Sequence, residues 1–183
     1  MTTRHATRSP RDRTVIVLGV DPGAATTGYG VVARASGGAV SLRECGVVRT
    51  DPGEPLPDRL RCIYEGVLDV LERHAPSTVA IEGVFYARNV RSTVVLGQAR
   101  GAVMLAASMR GLPVAEYSPA AVKNAVVGTG RATKDQVQYM IQQLLRLKTP
   151  PRPADAADAV AVALCHCHAG SLSARLAATA TLR

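Results

Sequence analysis

The sequence predicts an α/β fold: a mixed five-stranded sheet, an antiparallel meander plus parallel strands, flanked by helices. Three observations carry this reading. The first three apolar runs follow one another through short connections, as a meander requires. The later apolar runs are each preceded by a stretch of helical periodicity, as right-handed parallel crossovers require. At 183 residues with 47% hydrophobic content, the chain is long enough for one domain around a single core.

Taken in order, the β-branched run 15–21 is the first strand, ending in Asp21 and turning through Pro22-Gly23. The second strand covers about 28–35, and Gly37-Gly38 turns into a third at about 39–49. A Pro- and Gly-rich loop, 51–57, leads to the first helix. There Leu60, Ile63, Tyr64, Val67, Leu68 and Leu71 recur at helical spacing. Pro76 ends that helix, and a fourth strand closes in Ile81-Glu82-Gly83. The next helix, about 91–110, is rich in small residues (Gly97, Gly101, Ala102, Ala106, Ala107), which permit close approach within the domain or across a dimer. A short fifth strand at 113–117 precedes Ser118-Pro119, a cap and helix start. Gly128-Thr129-Gly130 breaks this helix, and Thr133-x-x-Gln136 is a capping box for another with Val137, Met140, Ile141, Leu144 and Leu145 inside. After Pro150-Pro151-Arg152-Pro153 comes the last helix, with Ala157, Val160, Ala161 and Leu164 as its apolar stripe. Residues 1–13 are expected to form a disordered basic arm, 14–169 the folded domain, and 170–183 a flexible tail.

No run approaches the roughly 18 uncharged apolar residues that cross a membrane, and the polar start lacks the core of a secretory signal. The four cysteines show no disulfide spacing, so a cytoplasmic location is expected. Cys165-His166-Cys167-His168 falls on a helix, where residues two apart diverge, and is read as packed side chains rather than a zinc site. The net charge is +8. Between Gly83 and Lys134 the bases are Arg88, Arg91, Arg100, Arg110, Lys123, Arg131 and Lys134, against one acid, Glu116. Such a stretch is an electrostatic footprint for phosphates, or a solvated basic face.

Four acids stand at element ends. Asp21 and Glu82 each close an apolar strand; if those strands are parallel neighbours, both acids lie at the edge where open α/β sheets bind ligands. Asp155 and Asp158 are three apart in the first turns of a helix, where capping and the helix dipole also favour acids. Carboxylates at buried strand ends cost several kcal/mol unless compensated, on the order given for desolvated polar groups. Clustered oxygen ligands favour Mg²⁺ or Mn²⁺, and two such ions support phosphodiester hydrolysis. With bases nearby, a metal-dependent nuclease is the first reading. An alternative is a small phosphotransferase of the actin/Hsp70-like ATPase fold, because Asp21-x-Gly23-x-x-x-x-Gly28 resembles the phosphate-binding hairpin of those ATPases. The second hairpin and the adenosine motif of that fold are not found. A basic binding module with structural acids is a third reading, which leaves the two acid-ended strands unexplained.

The motifs resemble those of RuvC-type Holliday junction resolvases over about residues 14–169. The matching stretches are Gly19-Val20-Asp21-Pro22-Gly23, Thr27-Gly28-Tyr29-Gly30 and Ile81-Glu82-Gly83-Val84-Phe85 with Asn89. Further matches are Leu96-Gly97-Gln98-Ala99-Arg100-Gly101, Tyr117-Ser118-Pro119 with Lys123, Val126 to Gly130, Lys134 with Gln136-Val137, and Asp155-Ala156-Ala157-Asp158-Ala159. The resemblance implies an RNase H-like fold, a homodimer and Mg²⁺-dependent nicking of two like-polarity strands across four-way junction DNA in recombination and repair. It implies two Mg²⁺ per active site, replaceable by Mn²⁺, held by Asp21, Glu82, Asp155 and Asp158. In some relatives a histidine stands at the position of Asp155. Lys123 and Lys134 resemble the family's basic residues at the scissile phosphate, and Phe85 its junction-contacting aromatic. Arg88 and Arg91 are expected to contact DNA beside it. A RuvAB-type branch-migration complex is implied as a partner.

Overall fold

In a computed structural model the chain is described over residues 14–83 and 90–180, with only the backbone considered for 170–180. The arm 1–13 and the stretch 84–89, with Phe85 and Arg88, lie outside the described residues. The elements run β1 (Val15–Asp21), β2 (Thr26–Arg34), β3 (Val40–Arg49), α1 (Leu56–His74), β4 (Thr78–Glu82), α2 (Val90–Met109), β5 (Val114–Tyr117), α3 (Pro119–Val127), α4 (Lys134–Leu144) and α5 (Ala154–Ala180). The sheet order is β3-β2-β1-β4-β5. β1, β2 and β3 pair antiparallel, whereas β4 lies parallel to both β1 and β5. The predicted mixed sheet is the one observed.

Local chemistry sets the element ends. Ser118 accepts from the Ala121 N–H at the start of α3, and Gly128 closes that helix at φ 87°. At α4 both halves of the capping box form, Thr133 with the Gln136 N–H and Gln136 with the Thr133 N–H. α1 ends through Ala75 in the left-handed region, immediately before Pro76.

Side-chain alternation divides the sheet into two faces. Val17 and Ala80 join one core with α3, α4 and α5, whereas Leu18, Val20, Val79 and Ile81 join the other with α1 and α2. Each large aliphatic side chain fully buried in this way contributes about 1.5–3 kcal/mol. By the same alternation Asp21 falls on the face of Val17, and Glu82 on the face of Ala80. Both acids therefore point toward α5.

One reading of the last helix is corrected. Apart from the half-buried Asp158, α5 is buried all round from Ala156 to Cys165, not along one stripe, because the sheet covers one side while α3 and α4 cover the other. Its helical backbone continues to Ala180. A single glycine costs a helix only about 1 kcal/mol relative to Ala, so it does not end one by itself.

Far from the acids, Glu44 on β3 gathers Tyr29 and His74 at 2.8 Å each, together with Arg73. The Arg73 guanidinium, helped by His74 and Tyr29 against partial burial, holds the Glu44 carboxyl down at about 2. A depressed folded-state value stabilises the fold above the ordinary carboxylate range, and that stability drains away as pH falls from about 4.5 toward 2. Glu44→Gln should therefore flatten the acid limb of the thermal midpoint over this window, as followed by circular dichroism. Identical acid limbs in the two proteins would remove the network from the account of stability.

Candidate active site

The site is built from three elements meeting at the C-terminal edge of the sheet. β1 and β4 run in register, Val20 opposite Ile81, so their terminal acids Asp21 and Glu82 come side by side. α5 delivers Asp155 and Asp158 from above, and the backbone explains how it comes so close. A Cβ on Gly19 would stand 2.1 Å from the Ala159 carbonyl oxygen, and one on Gly28 would stand 2.0 Å from that of Asp155. At Gly30 it would meet Val160 Cγ2 at 2.5 Å. These three glycines of β1 and β2 form a bare track in which α5 rests. Gly28 also pairs directly with Asp21 across the sheet, so one residue sets the spacing of both acids.

Sequence reasoning missed this track. Gly28 entered it as part of a phosphate-binding hairpin, but its missing side chain makes room for a helix. The turn before it closes on itself: Thr27 Oγ1 donates to the Gly23 carbonyl at 2.8 Å and accepts from the Gly23 N–H at 3.3 Å. The signal was present as three glycines at alternate or paired positions of adjacent strands, together with an alanine-rich helix.

The electrostatics show strong mutual repulsion. Burial first, then the charges of Glu82, Asp158 and Asp155, pushes Asp21 up to about 7. Glu82 is raised as well, mainly by burial and then by Asp158, against the pull of Lys134 and Lys123. Lys134 Nζ donates to Asp158 Oδ2 at 3.1 Å, and this bond raises the lysine. Lys123 and Lys134 line, with Glu82 and Asp158, a cavity of about 260 Å³. Two of the predicted bases are thus brought to the acids from the α5 side.

Among the described residues, Arg91, Arg100 and Arg110 are not gathered on one face. Arg110 pairs with Glu72 on α1 at the far end of α2, and Arg100 turns inward to Glu116. Arg91 sits in the first turn of α2 on a shallow concavity shared with Arg59, Ser92 and the turn at Ala24-Ala25. Cys165 and Cys167 are buried, while His166 Nδ1 meets the Tyr117 hydroxyl at 2.8 Å and His168 Nδ1 meets the Ala125 carbonyl at 3.0 Å. All four cysteines are free, and the Cys-His run makes packing and polar contacts of its own.

The donor set fits a hard divalent cation: four carboxylates, two of them raised by burial and repulsion that a cation would relieve. Among the described residues no three Cys, His, Asp or Glu side chains are close enough together to hold a metal ion as they stand, so binding one would require the acids to draw together. Acids at a sheet edge, flanked by Lys123 and Lys134, would suit a phosphate-bearing substrate with a divalent cation between them.

The chain matches the family described as "Crossover junction endodeoxyribonuclease RuvC" over residues 17–166. It belongs to the RuvC family. The RuvC protein of Pelotomaculum thermopropionicum is 49% identical over 144 residues, covering 79% of this chain and 87% of that one. The solved RuvC structure of Thermus thermophilus superposes with a TM-score of 0.80 at 40% identity, covering 87% of this chain and 97% of the other. The same Thermus protein in complex with a Holliday junction substrate superposes equally well, at 38% identity, covering 86% and 96%. The RuvC family is one of metal-dependent nucleases. The fold is accordingly RNase H-like, and the chain is a crossover junction endodeoxyribonuclease, a Holliday junction resolvase. The ATPase-fold alternative is set aside: family and site agree on a nuclease, and the Gly28 that suggested a phosphate hairpin seats α5 instead.

Proposed function

We propose that Asp21, Glu82, Asp155 and Asp158 hold two Mg²⁺ ions, for which Mn²⁺ substitutes, and that the chain resolves four-way junctions by paired symmetric nicks. The observation that carries this reading is the meeting of the four acids at one sheet edge, with Lys123 and Lys134 in the adjoining cavity. Bound there, the ions would activate a water and stabilise the leaving oxygen. The chain's own residues bind and orient. Lys123 and Lys134 face the scissile phosphate from the α5 side, and Lys134, through its bond to Asp158, keeps that carboxylate turned toward the cavity. Arg91, with Phe85 and Arg88 beyond the end of β4, contacts the junction arms. The test is incubation of labelled four-way junction, duplex and single-stranded DNA with Mg²⁺, Mn²⁺ or EDTA. Paired nicks in opposite arms that disappear with EDTA are expected; random duplex cutting would overturn junction selectivity.

Two symmetric cuts require two active sites related by the two-fold axis of the junction, so a homodimer is part of the proposal. α2 supports it. Val90, Val94, Leu105 and Met109 are 79%, 55%, 55% and 67% exposed, and with Gly97 and Gly101 they recur every three or four residues along one face. Such an exposed apolar stripe is unusual on a monomer. Space is open above both glycines, where a partner's helix could approach closely. Because nothing lies within 4 Å of a Cβ at Gly101, Gly101→Leu should leave the circular dichroism spectrum unchanged and weaken self-association in analytical ultracentrifugation. A Gly101→Leu dimer as tight as wild type would clear this helix as the interface. A cytoplasmic location and a RuvAB-type branch-migration partner complete the proposal; no described helix is long and apolar enough to cross a membrane.

A further inference from the structure

We propose that Arg100 is a phosphate-binding residue of the active site, held by Glu116 until the DNA backbone takes its place. The inference rests on the reading that the acids face a DNA phosphate, and extends it to the opposite flank. Lys123 and Lys134 approach the acids from the α5 side of the sheet. Arg100 comes from α2 on the other side, and a cavity of about 140 Å³ joins it to Asp21, Glu82, Gly83 and Pro119. The acids are therefore bracketed by cations on both faces.

The guanidinium is poorly satisfied where it lies. Its side chain is 18% exposed; Nη2 meets Glu116 Oε2 in an ion pair that is not aligned as a hydrogen bond, and the buried Nε has no acceptor among the described residues. Leaving a buried charged donor without an aligned acceptor is unfavourable. Nε and Nη2 form one edge of the guanidinium, a fork of two parallel N–H bonds that matches two phosphate oxygens. Glu116 is a loosely held partner: it lies on β5, the outer strand, and its side chain is 51% exposed. Its register opposite Ile81 puts it one residue below Glu82. A strand whose scissile phosphate lies over the acids brings a neighbouring phosphate toward this cavity. Glu116 then turns to water, and the Arg100 fork closes on the phosphate.

Binding of a synthetic four-way junction, measured in EDTA over a series of salt concentrations, tests the exchange. Arg100→Gln should weaken binding about tenfold and reduce the salt slope by about one, as loss of one phosphate contact requires. Glu116→Gln should tighten binding several-fold, beyond any change produced by Glu72→Gln, which removes an acid paired with Arg110 at the far end of α2. In the double variant Arg100→Gln/Glu116→Gln that gain should vanish. A salt slope unchanged in Arg100→Gln, or a gain that persists in the double variant, overturns the exchange. If Arg100→Gln does not fold by circular dichroism, Glu116→Gln decides against Glu72→Gln, and no tightening beyond that control sinks the proposal. Wild-type protein that neither binds nor cuts the junction would overturn the proposed function itself.

Discussion

Asp21→Asn or Glu82→Gln is expected to lower junction cleavage by at least ~10²-fold, the scale on which losing one preorganised electrostatic group acts, while junction binding persists. Each change keeps the shape of the side chain and removes a charged oxygen ligand. The phosphate-binding surface around Lys123 and Lys134 stays in place, and affinity should rise slightly as negative charge leaves the site. The same physics predicts a stability gain. Asp21 is pushed up to about 7 by burial and three neighbouring acids, so a neutral amide there relieves a strain of the fold. In metal-free buffer the Asp21→Asn midpoint should rise, at roughly 2–4 °C for each ~1 kcal/mol relieved in a chain of this size. Single-turnover cleavage, electrophoretic binding and thermal melting check the three parts. An Asp21→Asn protein that cuts at the wild-type rate would remove Asp21 from the metal site.

Gly28→Ala is expected to damage the enzyme almost as much without touching a carboxylate. The new Cβ would stand 2.0 Å from the Asp155 carbonyl oxygen and 2.5 Å from its carbonyl carbon, both backbone atoms that no rotamer change can move. α5 must lift or tilt at the turn that carries Asp155 and Asp158. Overpacking of this kind costs about 1–3 kcal/mol. A displacement of about 1 Å in the reacting groups costs on the order of 10²-fold in rate. A lower thermal midpoint with cleavage reduced by that factor is therefore expected, with junction affinity changed much less. Gly37→Ala is the control, because nothing lies within 4 Å of a Cβ there. Wild-type cleavage by Gly28→Ala would mean that the height of α5 above the sheet does not set the site.

The two variants separate what was legible in the sequence from what was not. The acids were legible because an acid is conspicuous at the end of an apolar strand: Asp21 after Val15–Val20 and Glu82 after Thr78–Ile81 interrupt patterns whose burial is local and periodic. Caps were legible for the same reason, since Ser118 and Thr133 act on N–H groups within three residues of themselves. The glycine track was not, because a glycine reports nothing about what approaches it. Only the pairing of Asp21 with Gly28, and of Gly19 with Gly30, lays the bare positions side by side. Arg100 was read as one more base in a basic stretch, and its inward turn to Glu116 depends on β5 lying beside β4.

By itself the sequence determined the mixed sheet with its flanking helices, the helix caps, and the four carboxylates with the motifs that align them to a nuclease family. These are properties of short segments, fixed by periodicity, propensity and side-chain chemistry within a few residues. The tertiary structure alone decided that Asp21 and Glu82 share an edge and a face, how closely α5 approaches, and which cations reach the acids. Those depend on strand order and register, where a shift of one residue would turn Asp21 away from α5 to the opposite face, and on backbone contacts between segments more than a hundred residues apart.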